Sequence, residues 1–252
     1  MKYPGSKNRH AKYILPIMLE DATKDTIWIE PFVGGCNLID KVPLATRRGY
    51  DLNLYLIAMF KAVLAGWIPP EHISEEEYKA IKADKTAFDP WLVGFVGVGC
   101  SFSGKWFGGY ARGAGRNYTR ESRDNLLKQA KTLVGVDLAV SSYDKVSIPE
   151  GSVVYCDPPY ANSIGYTEPF DTSKFWVWAE ELSKTTNVYV SEYTAPEGWK
   201  SVYAREVVSS LDLNTGNKRS VEQLFIHERR TWTLKNSELV RCEKSPTQSQ
   251  AK

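Results

Sequence analysis

Residues 152–163 read "SVVYCDPPYANS". Val153, Val154, Tyr155 and Cys156 form an apolar run of strand length. It is broken at once by a carboxylate, two prolines and an aromatic. Proline fixes its own φ and drives the residue before it into extended backbone. Asp157, Pro158 and Pro159 therefore have few conformations open to them, and the groups they carry point in set directions. Prolines also lack an N–H, so the carbonyls of this corner remain to accept from another molecule. A strand that simply stops in a rigid turn, with an aspartate facing water, would read the same. The flanking sequence has to decide between the two.

Upstream, "DTIWIEPFVGGCNLI" (25–39) predicts a strand over Thr26–Ile29 that leaves through Glu30-Pro31 into a glycine loop and a helix. "RRGYDLN" (47–53) is a second strand end. Leu54, Ile57, Ala58, Val63 and Leu64 then recur at helical spacing, with Asn53 as N-cap. Ser74-x-x-Glu77 is a capping-box pattern. Residues 93–120 are rich in Gly, aromatics and Arg, with weak periodicity. A helix resumes in "ESRDNLLKQAKTL" (121–133), and "VDLAVSSYDKV" (136–146) predicts a strand ending at Ser142-Tyr143. Past the prolines come a helix around Lys174–Lys184, a strand "NVYVSEY" (187–193) and a hairpin over 205–228. Strands alternating with helices predict an α/β fold with a mostly parallel, doubly wound sheet. Ligands of such sheets sit beyond the carboxyl ends of the strands. Glu30, Asp51, Ser142 and Asp157 each fall at such an end, so four polar groups are predicted to rim one crevice.

The chain of 252 residues has room for one α/β domain or a domain with an insert. A net charge of +2 is too small to argue nucleic-acid binding globally, so only local clustering can. Cys36, Cys100, Cys156 and Cys242 lie far apart without a C-x-x-C pair, and His10, His72 and His227 are isolated. That disfavours both a zinc site and a disulfide framework, and no metal is expected. Neither a signal segment nor a membrane span is visible, so a cytoplasmic location is expected.

The glycine loop first suggests phosphate, but "EPFVGGCN" has neither the G-x-G-x-x-G spacing nor a Walker Gly-Lys-Ser/Thr. Gly104-Lys105 is followed by Trp106, where a phosphate loop needs a hydroxyl. Glu30 would repel a phosphate and attract a cationic or amino-bearing group, whereas Asp51 is placed to take ribose hydroxyls. A nucleoside with an amino-acid tail and no phosphates fits both, and S-adenosyl-L-methionine is such a molecule.

With these residues in view, the chain resembles the DNA adenine-N6 methyltransferases of the Dam-related class, phage-type members in particular, from Lys2 to about Ile226. "KYPGSK" resembles the N-terminal cofactor motif, "EPFVGGCN" the methionine loop, "DLN" the ribose-binding acid and "DPPY" the catalytic tetrapeptide. "GKWFGGYAR" resembles part of the inserted recognition region and "NKRSVEQLF" the closing hairpin. Tyr3 with Gly5-Ser6 stands where the family usually has Trp with Gly-Gly, and Cys36 where a third glycine is common.

The resemblance implies a Rossmann-like S-adenosylmethionine-dependent methyltransferase fold with a C-terminal antiparallel hairpin and an inserted helical or loop DNA-recognition domain. The catalytic domain would comprise residues 1–58 and 136–235, the insert 59–135 and a polar tail 236–252. Tyr3 and Lys7 would contact the cofactor, Glu30 with Gly34 and Gly35 its methionyl part, Asp51 the ribose, and Ser142 and Tyr143 the adenine ring. Asp157 would border the cofactor and, with the Pro158 carbonyl, accept from the target amino group. Tyr160 would stack on a base flipped out of double-stranded DNA. S-adenosyl-L-homocysteine would be the product, and no obligatory protein partner is implied.

In the insert, Lys105, Arg112, Arg116 and Arg120 interleave with Trp106 and Tyr110, which reads as a phosphate-tracking surface or as a solvated charged loop. Lys218 and Arg219 beside the "NTG" turn are a second candidate clamp. Methylation of RNA or of a protein amide, and a non-catalytic DNA-binding module on the same fold, are the competing readings.

Overall fold

Seven strands form one sheet in the order β3-β2-β1-β4-β5-β7-β6, in a computed structural model that describes residues 1–159, 170–209 and 218–230. Strands β1 (Trp28–Glu30), β2 (Arg47–Asp51), β3 (Val136–Val140), β4 (Val153–Cys156) and β5 (Asn187–Glu192) run parallel. Strand β7 (Lys218–His227) is antiparallel to β5 and closes a hairpin with β6 (Trp199–Ser209). This is the mostly parallel, doubly wound sheet expected from the sequence, with its antiparallel hairpin at one edge.

Strand alternation divides the core into two faces. Ile29, Val154, Cys156, Val188, Val190 and Phe225 pack with Phe175, Trp176 and Ala179 of helix α6 (Thr172–Leu182). Trp28, Val153, Tyr155, Tyr189, Leu224 and Ile226 face the opposite way. There they meet helices α1 (Ala11–Met18), α2 (Leu54–Leu64), α4 (Pro90–Gly99) and α5 (Tyr118–Ala130). Ordering a residue costs roughly 1–2 kcal/mol, and burying a large apolar side chain returns roughly 1.5–3 kcal/mol. Strands of three and four residues such as β1 and β4 persist because every residue in them is buried.

Between β2 and β3 the chain builds a helical layer from α2, α3 (Glu75–Ala83), α4 and α5. Asn53 caps α2 by accepting from the Tyr55 and Leu56 amides, and Ser74 and Glu77 form the reciprocal capping box of α3. Four expectations need correction. First, residues 93–99 belong to a buried helix. Its apolar residues run all round, so no amphipathic period marks it. Its glycines are packing devices: a Cβ on Gly94 would lie 2.1 Å from the Tyr55 carbonyl oxygen on α2. Second, the glycine loop after β1 leads only into a 3-10 turn, Ile39–Lys41. Pro43 removes a donor and biases Val42 to extended backbone, as its φ of −71° and ψ of 123° show. Third, β1 starts at Trp28 and takes in Glu30, two residues later than predicted at its start. Fourth, β3 ends at Val140, and Ser142 instead opens a 3-10 turn, Tyr143–Lys145.

Candidate active site

Strand order reverses between β1 and β4, and the carboxyl ends beside that point carry the polar groups. Glu30, the last residue of β1, is 2 % exposed and accepts from Trp28 Nε1 at 2.9 Å. Burial pushes its carboxyl well above the ordinary range, against the pull of the Trp28 bond. Asp51, at the end of β2, accepts from the Gly34 amide at 2.9 Å and the Asn53 amide at 2.8 Å. Burial raises its carboxyl too, and those two backbone bonds oppose the shift. Asp51 thus ties the second strand to the glycine loop.

That loop is shaped for close approach. Gly34 has φ +47°, and a Cβ there would lie 2.7 Å from Tyr3 Cε1. At Gly35 a Cβ would lie 2.6 Å from Tyr3 Cβ and 2.7 Å from Asn37 Nδ2. Cys36 takes φ +54° while fully buried. This is the left-handed backbone that glycine adopts at no steric cost, which accounts for glycine being usual there. The structure therefore brings Tyr3, Gly34, Gly35 and Asp51 into one contact set.

Asp157 follows β4 directly, with Pro158 buried behind it. Lys7, 3 % exposed, reaches Asp157 Oδ1 at 2.8 Å, Glu222 Oε1 at 2.8 Å and the Gly5 carbonyl at 3.0 Å. These acceptors match the three protons of an ammonium. Glu222, on β7, continues the chain to His10 Nε2 at 3.4 Å, and His10 Nδ1 lies 3.1 Å from the Tyr203 hydroxyl. Burial lowers the His10 imidazole, with Glu222 opposing and Lys7 assisting. Tyr160 lies outside the described residues.

Sequence reasoning passed over Glu222 and Glu192. Glu192 sits at the carboxyl end of β5, so the rule that selected Glu30 and Asp51 would also have found it; Glu222, on an antiparallel strand, carries no such signal. Glu192 is 8 % exposed, and its Oε2 has no hydrogen-bond partner among the described residues. Burial, helped by the Asp157 charge, raises its carboxyl to about 7. A carboxyl raised on folding gives stability that is full below its unfolded value and is lost as pH rises through the folded one. Melting of wild type and Glu192→Gln between pH 5 and pH 8 is expected to show the variant gaining stability relative to wild type as pH rises. A difference constant with pH would refute this.

Ser142 donates to Asp144 Oδ1 at 2.5 Å, and Asp144 Oδ2 holds Lys174 Nζ at 2.8 Å. Tyr143 is 8 % exposed, its ring 5.3 Å from that of Phe32 and 5.0 Å from that of Trp178. The pair therefore stands beside the exit of β1, with Tyr143 inside an aromatic cluster.

In the insert, Arg112 is ion-paired with Glu75. Arg116 forms a two-pronged pair with Glu121 at 2.9 and 2.6 Å and lies over the Tyr118 ring. Trp106 stacks on Tyr55 at 5.8 Å, and the Tyr110 hydroxyl donates to the Ile73 carbonyl at 2.6 Å. Lys105 and Arg120 are exposed. Lys218 and Arg219 lie on β7, but their side chains are outside what is described. Among the described residues no group of three His, Cys, Asp or Glu is arranged to hold a metal ion, and no helix is long and apolar enough to cross a membrane.

The chain is similar to the rRNA methyltransferase aviRa from Streptomyces viridochromogenes, with 13% identity and a TM-score of 0.41 over 90% of this chain and 87% of that one. It is also similar to the tRNA methyltransferase TrmI from Aquifex aeolicus, with 9% identity and a TM-score of 0.38 over 90% and 72%. A sequence search of curated proteins finds no match. Residues 3–88 match the family model of the D12 class N6 adenine-specific DNA methyltransferases. That span holds Tyr3, Lys7, Glu30, Gly34, Gly35 and Asp51, and it ends before Asp157. Over residues 3–88 the chain therefore matches this Dam-related class of adenine-specific methyltransferases.

Proposed function

We propose that the enzyme transfers a methyl group from S-adenosyl-L-methionine to N6 of an adenine extruded from double-stranded DNA. The observation that carries this reading is the Lys7-clamped Asp157 carboxylate, 2.8 Å from the ammonium, on the same sheet rim as Asp51 and the glycine loop. The donor supplies an electrophilic methyl carbon on a sulfonium. Tyr3, the Gly34–Gly35 backbone and Asp51 would hold it, with Ser142 and Tyr143 toward its base. Asn37 Nδ2 and Glu192 Oε2, buried without hydrogen-bond partners among the described residues, are a donor and an acceptor of the kind a zwitterionic amino-acid tail requires.

Asp157 and the Pro158 carbonyl accept hydrogen bonds from the two N6–H bonds and localise a lone pair otherwise delocalised into the base. They also offset the positive charge that grows on nitrogen as its bond to carbon forms and the carbon–sulfur bond breaks, the bond pair leaving with the thioether sulfur and one N6 proton passing to solvent afterwards. Pro158 and Pro159 hold these acceptors in place before the base arrives, so no reorganisation is needed at the moment of reaction. Tyr160 supplies a stacking face in this scheme. Residues 1–58 and 136–235 serve as the catalytic unit and 59–135 as the part that meets DNA, with Lys105 and Arg120 among its exposed cations. RNA is the alternative substrate, because a basic, aromatic insert suits any nucleic acid.

The test is labelled methyl transfer to unmethylated plasmid, total RNA and protein extract, followed by nucleoside mass spectrometry. N6-methyladenine in DNA is the expected product. Label confined to RNA or protein would overturn the substrate assignment, and no transfer at all would overturn the reaction.

A further inference from the structure

The insert's Arg112, Arg116 and Arg123 are ion-paired with Glu75, Glu121 and Glu71. The cations that crowd together without acids among the lining residues lie elsewhere, in an open groove of about 640 Å³ between α1 and β6. Asn8, Arg9, Ala11, Lys12, Leu15, Lys41 and Arg205 line it, four of them basic and none acidic.

The groove is built from parts that hold its charges apart and facing outward. Arg9 and Lys12 are three residues apart across the start of α1, a spacing that puts both on one side of the helix. Arg205 projects from β6 over the Tyr13 ring, its guanidinium carbon 5.0 Å from the centroid, while Lys12 Nζ sits 4.7 Å from the same centroid. Tyr13 is thus a shared platform for two cations. Lys41 differs, because Asp40 at 2.6 Å and the Asn37 carbonyl at 2.9 Å already engage it. Glu222, opposite Arg205 in the hairpin register, turns its oxygens to Lys7 and His10.

The groove also adjoins the reactive corner. Arg9 and Asn8 follow Lys7 in the chain, and Lys7 touches Asp157. A nucleotide held with its base at Asp157 would leave its neighbouring phosphates near Arg9, Lys12 and Arg205.

We propose that this α1–β6 groove, through Arg9, Lys12 and Arg205, binds the phosphodiester backbone of the DNA strand next to the extruded base. The assignment rests on the DNA reading above and adds a contact surface outside the insert. Each phosphate neutralised by a cation releases condensed counterions, and the logarithm of the duplex-binding constant then falls with the logarithm of salt by about 0.9 per contact.

The experiment compares wild type with the triple variant Arg9→Gln, Lys12→Gln, Arg205→Gln, using a fluorescent DNA duplex of about 20 base pairs over 50–300 mM salt, a length and range chosen to span several phosphate contacts. The salt slope is expected to shrink by about 2–3, with a 10-fold or greater loss of affinity near 100 mM salt. The KM for DNA should rise while kcat at saturating DNA holds, since none of the three residues touches the reacting atoms. An unchanged slope, or a kcat loss without a KM change, would overturn the groove assignment. Wild type that makes N6-methyladenine while the triple variant keeps its slope sinks the groove alone. Salt-dependent DNA binding that the triple variant loses, with no N6-methyladenine formed, keeps the groove and sinks the reaction. Tighter binding of duplex RNA than DNA by wild type would overturn the partner.

Discussion

Asp157→Ala is expected to reduce single-turnover methyl transfer by about 10³-fold or more while leaving the DNA dissociation constant within a few-fold of wild type. Removing one preorganised electrostatic contact to a developing charge typically costs 10²–10³ in rate. Here the lost group also aligns the nucleophile, so the upper end is the expectation. The fold has reason to survive the change. Asp157 lies one residue beyond β4, whose four residues stay buried, and Lys7 keeps Glu222 at 2.8 Å and the Gly5 carbonyl at 3.0 Å. Asp157→Asn separates charge from hydrogen bonding. It retains an oxygen that can accept from N6 but loses the negative charge, and should fall between Ala and wild type. Rapid-quench transfer of labelled methyl, paired with DNA binding by anisotropy, reads both quantities. An Asp157→Ala enzyme with a tenth of wild-type activity would remove the carboxylate from the chemistry.

Much of this site was legible in the sequence because parallel sheets place strand ends by rule. An apolar run that stops at an acid is a local pattern, which Glu30 and Asp157 show, whereas Asp51 ends the more polar run Arg47–Tyr50 and is placed by the strand–helix alternation around it. What could not be read was the chain Asp157–Lys7–Glu222–His10–Tyr203. Its members come from an N-terminal turn, a strand exit and an edge hairpin, up to 215 positions apart between Lys7 and Glu222. No periodicity encodes such a meeting. The ion pairs of the insert carry signals of two kinds: Glu121 stands five residues after Arg116 and is a local partner, whereas Glu75, the partner of Arg112, lies 37 residues away on α3, where only tertiary packing brings the two together. Val93–Gly99 lacked a helical signature because it is buried on all sides; Gly94 answers to the backbone of α2, and Gly97 to the rings of Trp106 and Phe107.

Lys7→Met should cost about 3 kcal/mol of stability or more at neutral pH, because removing one member of a buried ion pair leaves the other charge uncompensated. Lys7 is 3 % exposed, and its two carboxylate partners keep 21 % and 15 % of their side-chain surface, so solvent recovers part of the loss and the low end of the usual 3–5 kcal/mol applies. The pH dependence distinguishes this electrostatic account from lost packing. Without the ammonium, Glu192, whose carboxyl burial already raises to about 7, keeps the charges of Asp157 and Glu222 beside it and loses the Lys7 charge that opposes the rise. Groups raised in this way destabilise the fold as they ionise, so the deficit should be largest above pH 7 and shrink as pH falls toward the unfolded carboxylate range near 4. Urea unfolding of wild type and Lys7→Met at pH 8 and pH 5 measures it. Adding Glu222→Gln to Lys7→Met should recover part of the loss at pH 8, since the double variant removes one of the repelling charges as well as the cation. A deficit equal at both pH values, and untouched by Glu222→Gln, would mean that Lys7 acts by filling space and that the ion pair does not hold Asp157 in position.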